Sequence, residues 1–422
     1  MKERETKQDF DVVVVGAGIA GSAAADRLAE LGFRVAVLEK RVTPPEKSLY
    51  VNGLHFDSPL RKSLTLQGAL VPLPEIAVVN ADDPSRNWGR KENGGGNVTF
   101  ALFHQPIVQS LQEKWGDNVE KINITACRSE EYPGKVVVAL SNDSELTCSY
   151  LVDATGCSSL VSRRHSVLES GVMLEDDPIV MWVRGVRVYG EFQPGILFIP
   201  IGRNVGLGWV MPYSSSYGDI MTSDFCRMSE LNPQLHQQIF ENCLNYCEDK
   251  GICHVRGIED RLVGFVRCEP ISKKVAGCTR RVYPIGEAAG MGSPFEAEVV
   301  PAALNWGRKL GDALALGVSP SDFHRLWRQK EQMFPYDLEL AMLTKRMQRE
   351  ARGDYGSNAP IYKALLSYLP EDAQNQVLTT RRIPRKYLPK LLQGLIGNLN
   401  WVPDFIETGT YLAKIKMRNL DF

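Results

Sequence analysis

The 422-residue sequence predicts an α/β protein, with a Rossmann-like dinucleotide-binding domain, an inserted antiparallel sheet and a helical C-terminal region. Three observations predict it. Near the N-terminus an apolar run, a glycine-rich turn and a helical segment follow one another directly. Mid-chain, apolar and polar residues alternate as in half-buried strands. Beyond residue 320 the pattern turns helical, with breaks.

In the opening unit, residues 11–15 form an apolar strand and Gly16-Ala17-Gly18-Ile19-Ala20-Gly21 follows at once. A helix-forming stretch from Ser22 to Leu31 ends at Gly32, and residues 34–38 form a second strand that delivers Glu39. Each glycine has a task in such a unit. Gly16 permits the tight turn, Gly18 lets a pyrophosphate approach the backbone, and Gly21 lets helix and strand pack closely. The phosphates meet the positive end of the helix, and Glu39 accepts hydrogen bonds from ribose hydroxyls. A carboxylate there repels a 2′-phosphate, which argues against NADP in this pocket. Strand, turn, helix, second strand and terminal acid in register favour dinucleotide binding over a structural glycine turn, but do not separate NAD from FAD.

With 44% hydrophobic residues, the chain can bury a substantial core. The 49 Lys and Arg nearly cancel the 50 Asp and Glu, so no global field gathers nucleic acid. The charged N-terminus MKERETKQDF lacks the apolar segment of a secretory signal, and no run suits a membrane-spanning helix. A cytoplasmic protein is expected, with room for peripheral contact with a membrane. Nine Cys in such a chain favour reduced thiols over a disulfide framework. Cys243, Cys247 and Cys253 are the close group; their spacing suits packed thiols on a helix better than a metal site.

Two later segments choose the cofactor. Residues 150–164, YLVDATGCSSLVSRR, resemble the Asp-Ala-Thr-Gly segment of flavoprotein reductases and monooxygenases. Residues 282–314, beginning VYPIGEAAGMGSP, resemble their second flavin segment. Between them, ILFIPIGRNVGLGWVMPY (196–213) resembles a stretch of the geranylgeranyl reductase family, FAD enzymes that saturate isoprenoid double bonds. This resemblance implies FAD as cofactor and a hydrophobic, isoprenoid, unsaturated substrate reduced by hydride from reduced flavin. Motif and resemblance together give the cofactor-binding candidates Gly16, Ala17, Gly18, Ala20, Gly21, Ser22, Glu39, Lys40, Gly53, His104, Ala126, Asp153, Gly156, Gly286, Glu287, Val299 and Val300. Candidates for the substrate chamber are Tyr50, His55, Trp209 and Tyr213, with Trp209 equally readable as a core aromatic. No side chain stands out as a catalytic acid.

The chain departs from the family's pattern in three places. Glu296-Ala297-Glu298-Val299-Val300 stands where the family has Thr-Gly-Glu-Gly-Ile. His104, a titratable imidazole, replaces an Arg, and Ser48-Leu49-Tyr50-Val51-Asn52-Gly53 replaces a Cys-containing motif. The alternatives are a flavin monooxygenase or halogenase and a lycopene-cyclase-like redox-neutral cyclase with Glu296 or Glu298 as acid. A third is a membrane-associated binding protein without catalysis. A second nicotinamide-binding glycine motif is missing, so the expected electron donor is external, a ferredoxin or a transiently bound NAD(P)H.

The expected division is a discontinuous FAD domain of residues 1–75, 100–165 and 270–320, a substrate domain of 76–99 and 166–269, and a helical region of 321–422. Within the second, residues 179–188 alternate as a strand, and 224–250 read as helix with Phe225, Met228 and Leu231 at helical spacing. Gly94–Gly96 could cradle phosphate but read better as a flexible loop. Segment 381–396 and the end with Trp401, Phe405, Tyr411, Leu412, Lys414 and Lys416 mix bases with apolar groups. That composition suits a helical cap or a rest on anionic lipid.

Overall fold

The computed structural model describes residues 8–40, 51–54, 70–82, 88–92, 99–158, 165–167, 172–173, 177–269, 279–292 and 299–331. The first half of the chain contains β1 (Phe10–Val15), α1 (Ile19–Glu30), β2 (Val35–Leu38), β3 (Val51–Leu54), β4 (Leu70–Leu73), β5 (Glu75–Asn80), β6 (Trp88–Glu92) and β7 (Thr99–Phe103). There follow α2 (His104–Gln112), β8 (Val119–Ile122), β9 (Ala126–Tyr132), β10 (Lys135–Leu140), β11 (Glu145–Asp153), β12 (His165–Val167) and β13 (Val172–Met173). Then come β14 (Ile179–Phe192), β15 (Ile196–Gly202), β16 (Gly206–Pro212), β17 (Tyr217–Arg227), α3 (Pro233–Asp249), β18 (Cys253–Arg267), β19 (Val282–Pro284), α4 (Val300–Ala315) and α5 (Pro320–Glu331).

The described strands form three sheets. In the largest, β8, β2, β1, β11 and β19 run parallel, with Val15 level with Leu38 and Asp153, and Asp153 level with Pro284. The carboxyl ends of β2, β1, β11 and β19 therefore line up. Strand β11 forks: its first half pairs antiparallel with β10, its second half with β19. Val12–Val15 and Val35–Leu38 are buried on both faces, as a parallel sheet covered by helices requires. Each such aliphatic side chain contributes roughly 1.5–3 kcal/mol by leaving water.

Helices α1 and α4 pack closely because α4 carries glycines where they touch. A Cβ on Gly307 would stand 2.6 Å from Ala20 O, and one on Gly311 would stand 2.6 Å from the Arg27 side chain. Arg308 reaches the buried carboxyl of Asp26, and Arg27 pairs with Asp312 at 2.7 Å. Ser319 accepts Asp322 N–H at 3.1 Å and starts α5.

The second sheet runs β18-β14-β17-β16-β15-β5-β6 and is antiparallel apart from β15 against β5. Strands β3, β7 and β4 form the third. This is the expected combination of a parallel Rossmann-like core, an antiparallel sheet and helices. One expectation fails: residues 224–227 finish strand β17, and the helix begins at Pro233 behind the Asn232 cap. Phe225 pairs with Met181 across the sheet, so cross-strand pairing overrides the helical spacing.

Helix α3 covers one face of the second sheet. There Cys243, Cys247 and Cys253 are buried beside Phe240, Val186 and Val188. The contact of the Cys247 thiol with its two neighbours, together with burial, pushes its ionisation above the ordinary thiol range. The described cysteines are free, and no group of described His, Cys, Asp and Glu suits a metal ion. No described helix is long and apolar enough to cross a membrane. The segments at 94–96, 381–396 and beyond, on which a loop, a cap or a lipid contact was expected, lie outside the described residues.

Candidate functional site

Three segments far apart in sequence meet at the aligned carboxyl ends of β2, β1, β11 and β19, where open α/β sheets bind their ligands. The first is the turn after β1. Gly16 has φ +101°, and a Cβ on it would stand 2.4 Å from Ala154 O. A Cβ on Gly21 would stand 1.9 Å from Gly16 O, so α1 can sit this close only with glycine there. Gly18 differs: it is exposed, and a Cβ on it would meet nothing within 4 Å. Gly18 N-caps α1 with no side-chain cap and no acid in the first turn. The helix thus presents open space and its positive end, which fits an anionic dinucleotide phosphate.

Glu39 closes this turn from the other side, its Oε2 accepting Ala17 N–H at 2.9 Å. Ser22 is buried and donates its hydroxyl to Ala17 O at 3.0 Å, bracing the turn from behind. Gln112 adds a donor to the same carbonyl at 3.3 Å, and Trp115 Nε1 donates to Ser22 O at 3.3 Å. Sequence reasoning missed Gln112 and Trp115; the amphipathic spacing of α2 against the Ala-rich α1 was the available signal. Ala20 packs beneath Gly286, and Lys40 is exposed.

The second segment follows β11. Asp153 is fully buried, and its Oδ1 accepts Thr155 N–H at 3.1 Å and the Thr155 hydroxyl at 2.6 Å. The carboxyl so placed holds the turn that brings Gly156 to φ +71°. The third segment is the 3-10 turn Gly286–Ala289 after β19. Gly286 has φ +60°, and a Cβ there would stand 2.7 Å from the Ala20 Cβ. Glu287 Oε1 accepts Arg267 N–H at 3.1 Å, and its Oε2 lies 3.6 Å from where a Cβ on Gly156 would stand. Val299 N-caps α4 and Val300 begins it; both are buried, again without a side-chain cap.

The remaining candidates spread around this centre. His104 begins α2, and burial lowers its pKa to about 4, so it stands neutral near pH 7. The expected titratable replacement for an Arg is therefore an uncharged group over the neutral range. Ala126 starts β9 opposite Leu140 and packs half-buried on the main core; Gly53 pairs with Ala101 in the small sheet. Tyr50, His55, Glu296, Ala297 and Glu298 lie outside the described residues.

The second sheet approaches the same centre through the Arg267–Glu287 bond. Alternation sorts its residues: Gly208 faces α3, where a Cβ would stand 2.8 Å from Cys243 Sγ, so Trp209 points to the opposite face. There Trp209 packs half-buried against two clusters of buried residues, one of Ile179, Met181, Phe225 and Cys268 and one of Leu73, Leu197, Met211, Met221 and Leu262. Further along this face the character changes. Arg187 and Asp219, both buried, pair through two bonds at 2.8 and 3.0 Å. Tyr213 donates its hydroxyl to Asp219 at 2.5 Å and lies under the Arg187 guanidinium, 5.5 Å from its ring centre. Trp209 and Tyr213 therefore share one face, Trp209 on the apolar part nearest Glu287 and Tyr213 at the ionic end.

Comparison with known proteins agrees with this fold. A sequence family described as lycopene cyclase protein matches residues 11–350. The chain is 22% identical over 392 residues to digeranylgeranylglycerophospholipid reductase 1 of Methanococcoides burtonii, covering 90% of each. It is 26% identical over 176 residues to the probable electron transfer flavoprotein-quinone oxidoreductase YgcN of Escherichia coli, spanning only 39% of that protein. In fold it is similar to a geranylgeranyl bacteriochlorophyll reductase-like protein of Thermoplasma acidophilum. The TM-score is 0.63 at 15% identity, covering 94% of this chain and 98% of that one.

Proposed function

The chain belongs to the lycopene cyclase protein family, among FAD-dependent oxidoreductases, and from that premise we propose that it reduces carbon–carbon double bonds of a hydrophobic, isoprenoid substrate. The observation that carries this reading is the apolar face around Trp209, Met181, Phe225 and Met221, which adjoins the Glu287 turn through Cys268 and Arg267. A wall of that composition is suited to a prenyl chain. The similarity to a digeranylgeranylglycerophospholipid reductase supports the same substrate class.

Gly16–Gly21 and the N-terminus of α1 would hold the FAD pyrophosphate, and Glu39 the adenosine ribose. Gly156, Gly286 and Glu287 would lie along the cofactor toward the flavin. Bound and reduced, FAD would supply hydride to one alkene carbon, and a proton drawn from solvent would complete the other. The chain's own part is to bind, orient and exclude water: the apolar wall aligns the substrate and keeps the site dry. Electrons would come from an external donor, a ferredoxin or NAD(P)H, and a peripheral membrane contact would give access to a lipid substrate.

The family itself favours a second reading, a redox-neutral cyclase. Product mass separates the readings. Incubation of the FAD-loaded protein with a polyprenyl lipid and excess reductant, without oxygen, is expected to add two hydrogens per bond reduced. An isomer of unchanged mass would establish the cyclase, and an oxygenated product formed only in air would establish a monooxygenase.

A further inference from the structure

Strand β18 ends the second sheet, and its outer edge has no strand beside it among the described residues. Its register against β14 is irregular only before Asp260, so residues 260–267 run straight. Cys268 N–H donates to Ile179 O at 2.9 Å, on the β14 side, and residues along an antiparallel ladder alternate between bonded and unbonded pairs. The amides and carbonyls of Arg261, Val263 and Phe265 therefore point outward, away from β14. Arg267 N–H, next in that series, does reach outward, to Glu287 Oε1 at 3.1 Å. Arg261 N–H, with no strand to meet, turns to the carboxyl of its neighbour Asp260 at 2.7 Å.

The side chains of these three residues lie on the face that α3 covers. Phe265 stands opposite Trp182, on which His236 of α3 stacks, and Val263 opposite Arg184, which donates to Gln237 of α3. Arg261 stands opposite Val186, buried beside the α3 cysteines. Beyond the reach of α3, at the sheet's border, all three are open to solvent: Val263 is 53% exposed, Phe265 is 38% exposed, and Arg261 is exposed as well. Leu235, next to His236 on the first turn of α3, adds a further exposed apolar side chain. Between them in sequence, Leu262 and Gly264 are buried on the opposite face. Bare edge strands are normally blunted by proline, bulges or charge. Here the charges stand toward the ends of the straight stretch, and its middle is apolar.

We infer that this edge is the surface through which the protein self-associates, β18 pairing antiparallel with β18 of a second copy about a two-fold axis through Val263. The strand is complementary to itself in that register. Val263 meets Val263, and Arg261 of each copy meets Phe265 of the other, guanidinium against ring. Leu262 falls beside Gly264, so no two bulky groups collide on the opposite face. The outward amides and carbonyls of residues 261, 263 and 265 become bonded pairs, and the two sheets join into one. Moving the axis one residue to Gly264 sets Arg261 opposite Arg267, like charge against like, and Arg267 has already given its amide to Glu287. A strand of another protein would gain the backbone bonds alone; a second copy gains the two Arg–Phe contacts as well.

Sedimentation of the full chain is expected to show a dimer in reversible equilibrium with the monomer. In that dimer the amide hydrogens of Val263 and Phe265 are expected to be protected from exchange with solvent. Val263→Lys, at an exposed position, sets two ammonium groups against each other on the axis and is expected to raise the dimer dissociation constant at least roughly tenfold. Val263→Glu is expected to do the same. An equal mixture of the two variants is expected to dimerise again, because each ammonium then faces a carboxylate. A wild type that sediments as a monomer at every concentration, or a dimer whose Val263 and Phe265 amides exchange unprotected, would overturn the inference without any variant. So would a dimer that Val263→Lys leaves intact, or folded variants that stay apart when mixed.

Discussion

Glu39 Oε2 accepts the backbone N–H of Ala17 at 2.9 Å, so the acid that ends the second strand also shapes the phosphate turn. In the proposed reading Glu39 would thereby couple the two ends of the adenosine site. Glu39→Gln keeps the shape but weakens the charge-assisted bond, worth about 1.5–3 kcal/mol in such settings. FAD affinity is expected to fall roughly tenfold, read by fluorescence titration.

Gly18 and Gly21 separate binding from folding. A Cβ on Gly18 meets no protein atom within 4 Å, so Gly18→Ala is expected to leave urea stability within about 0.5 kcal/mol while sharply weakening FAD binding. A Cβ on Gly21 stands 1.9 Å from Gly16 O, so Gly21→Ala is expected to cost more than about 2 kcal/mol in the cofactor-free protein. Equal effects of the two variants on stability would contradict this division.

The Arg187–Asp219 pair is buried, with both carboxylate oxygens engaged. Removing one partner strands the other charge, so Asp219→Leu is expected to destabilise by about 3–5 kcal/mol. Arg187→Met with Asp219→Leu is expected to recover most of that loss. Chemical denaturation of the three proteins checks both statements.

His236 stacks on Trp182 at 3.9 Å between ring centres, and burial with the nearby Arg184 charge lowers its pKa from 6.5 to about 4. The unfolded chain takes up this proton as pH falls through about 6.5, the folded chain only near pH 4, so stability declines as pH falls between them. His236→Phe keeps the stack and removes the proton site. The slope of stability against pH between about pH 5 and about pH 6.5 is expected to be shallower in the variant.

The opening unit was legible because its signals are local. Strand, glycine turn and helix adjoin, and the structure shifts their limits by a few residues, starting α1 at Ile19 because Gly18 caps it. Cross-strand features were not legible. Phe225 lies in a strand because Met181 is its partner, and the Arg187–Asp219 pair joins residues on separate strands that no local spacing links. Burial, too, cannot be read from residue type: His104 looks titratable in sequence, yet its site holds it neutral. The alternation Gly208-Trp209 was visible as a motif, but that it sends glycine to α3 and Trp209 to the opposite face needed the sheet.

The most direct test of the central claim follows the flavin itself. FAD-loaded protein is photoreduced without oxygen and mixed with a polyprenyl lipid, and the flavin absorbance near ~450 nm is recorded. Recovery of that absorbance with consumption of an equal amount of double bonds is the expected result, slowed at least tenfold in Trp209→Ala. Flavin that stays reduced until oxygen is admitted, with the lipid unchanged, would contradict the account.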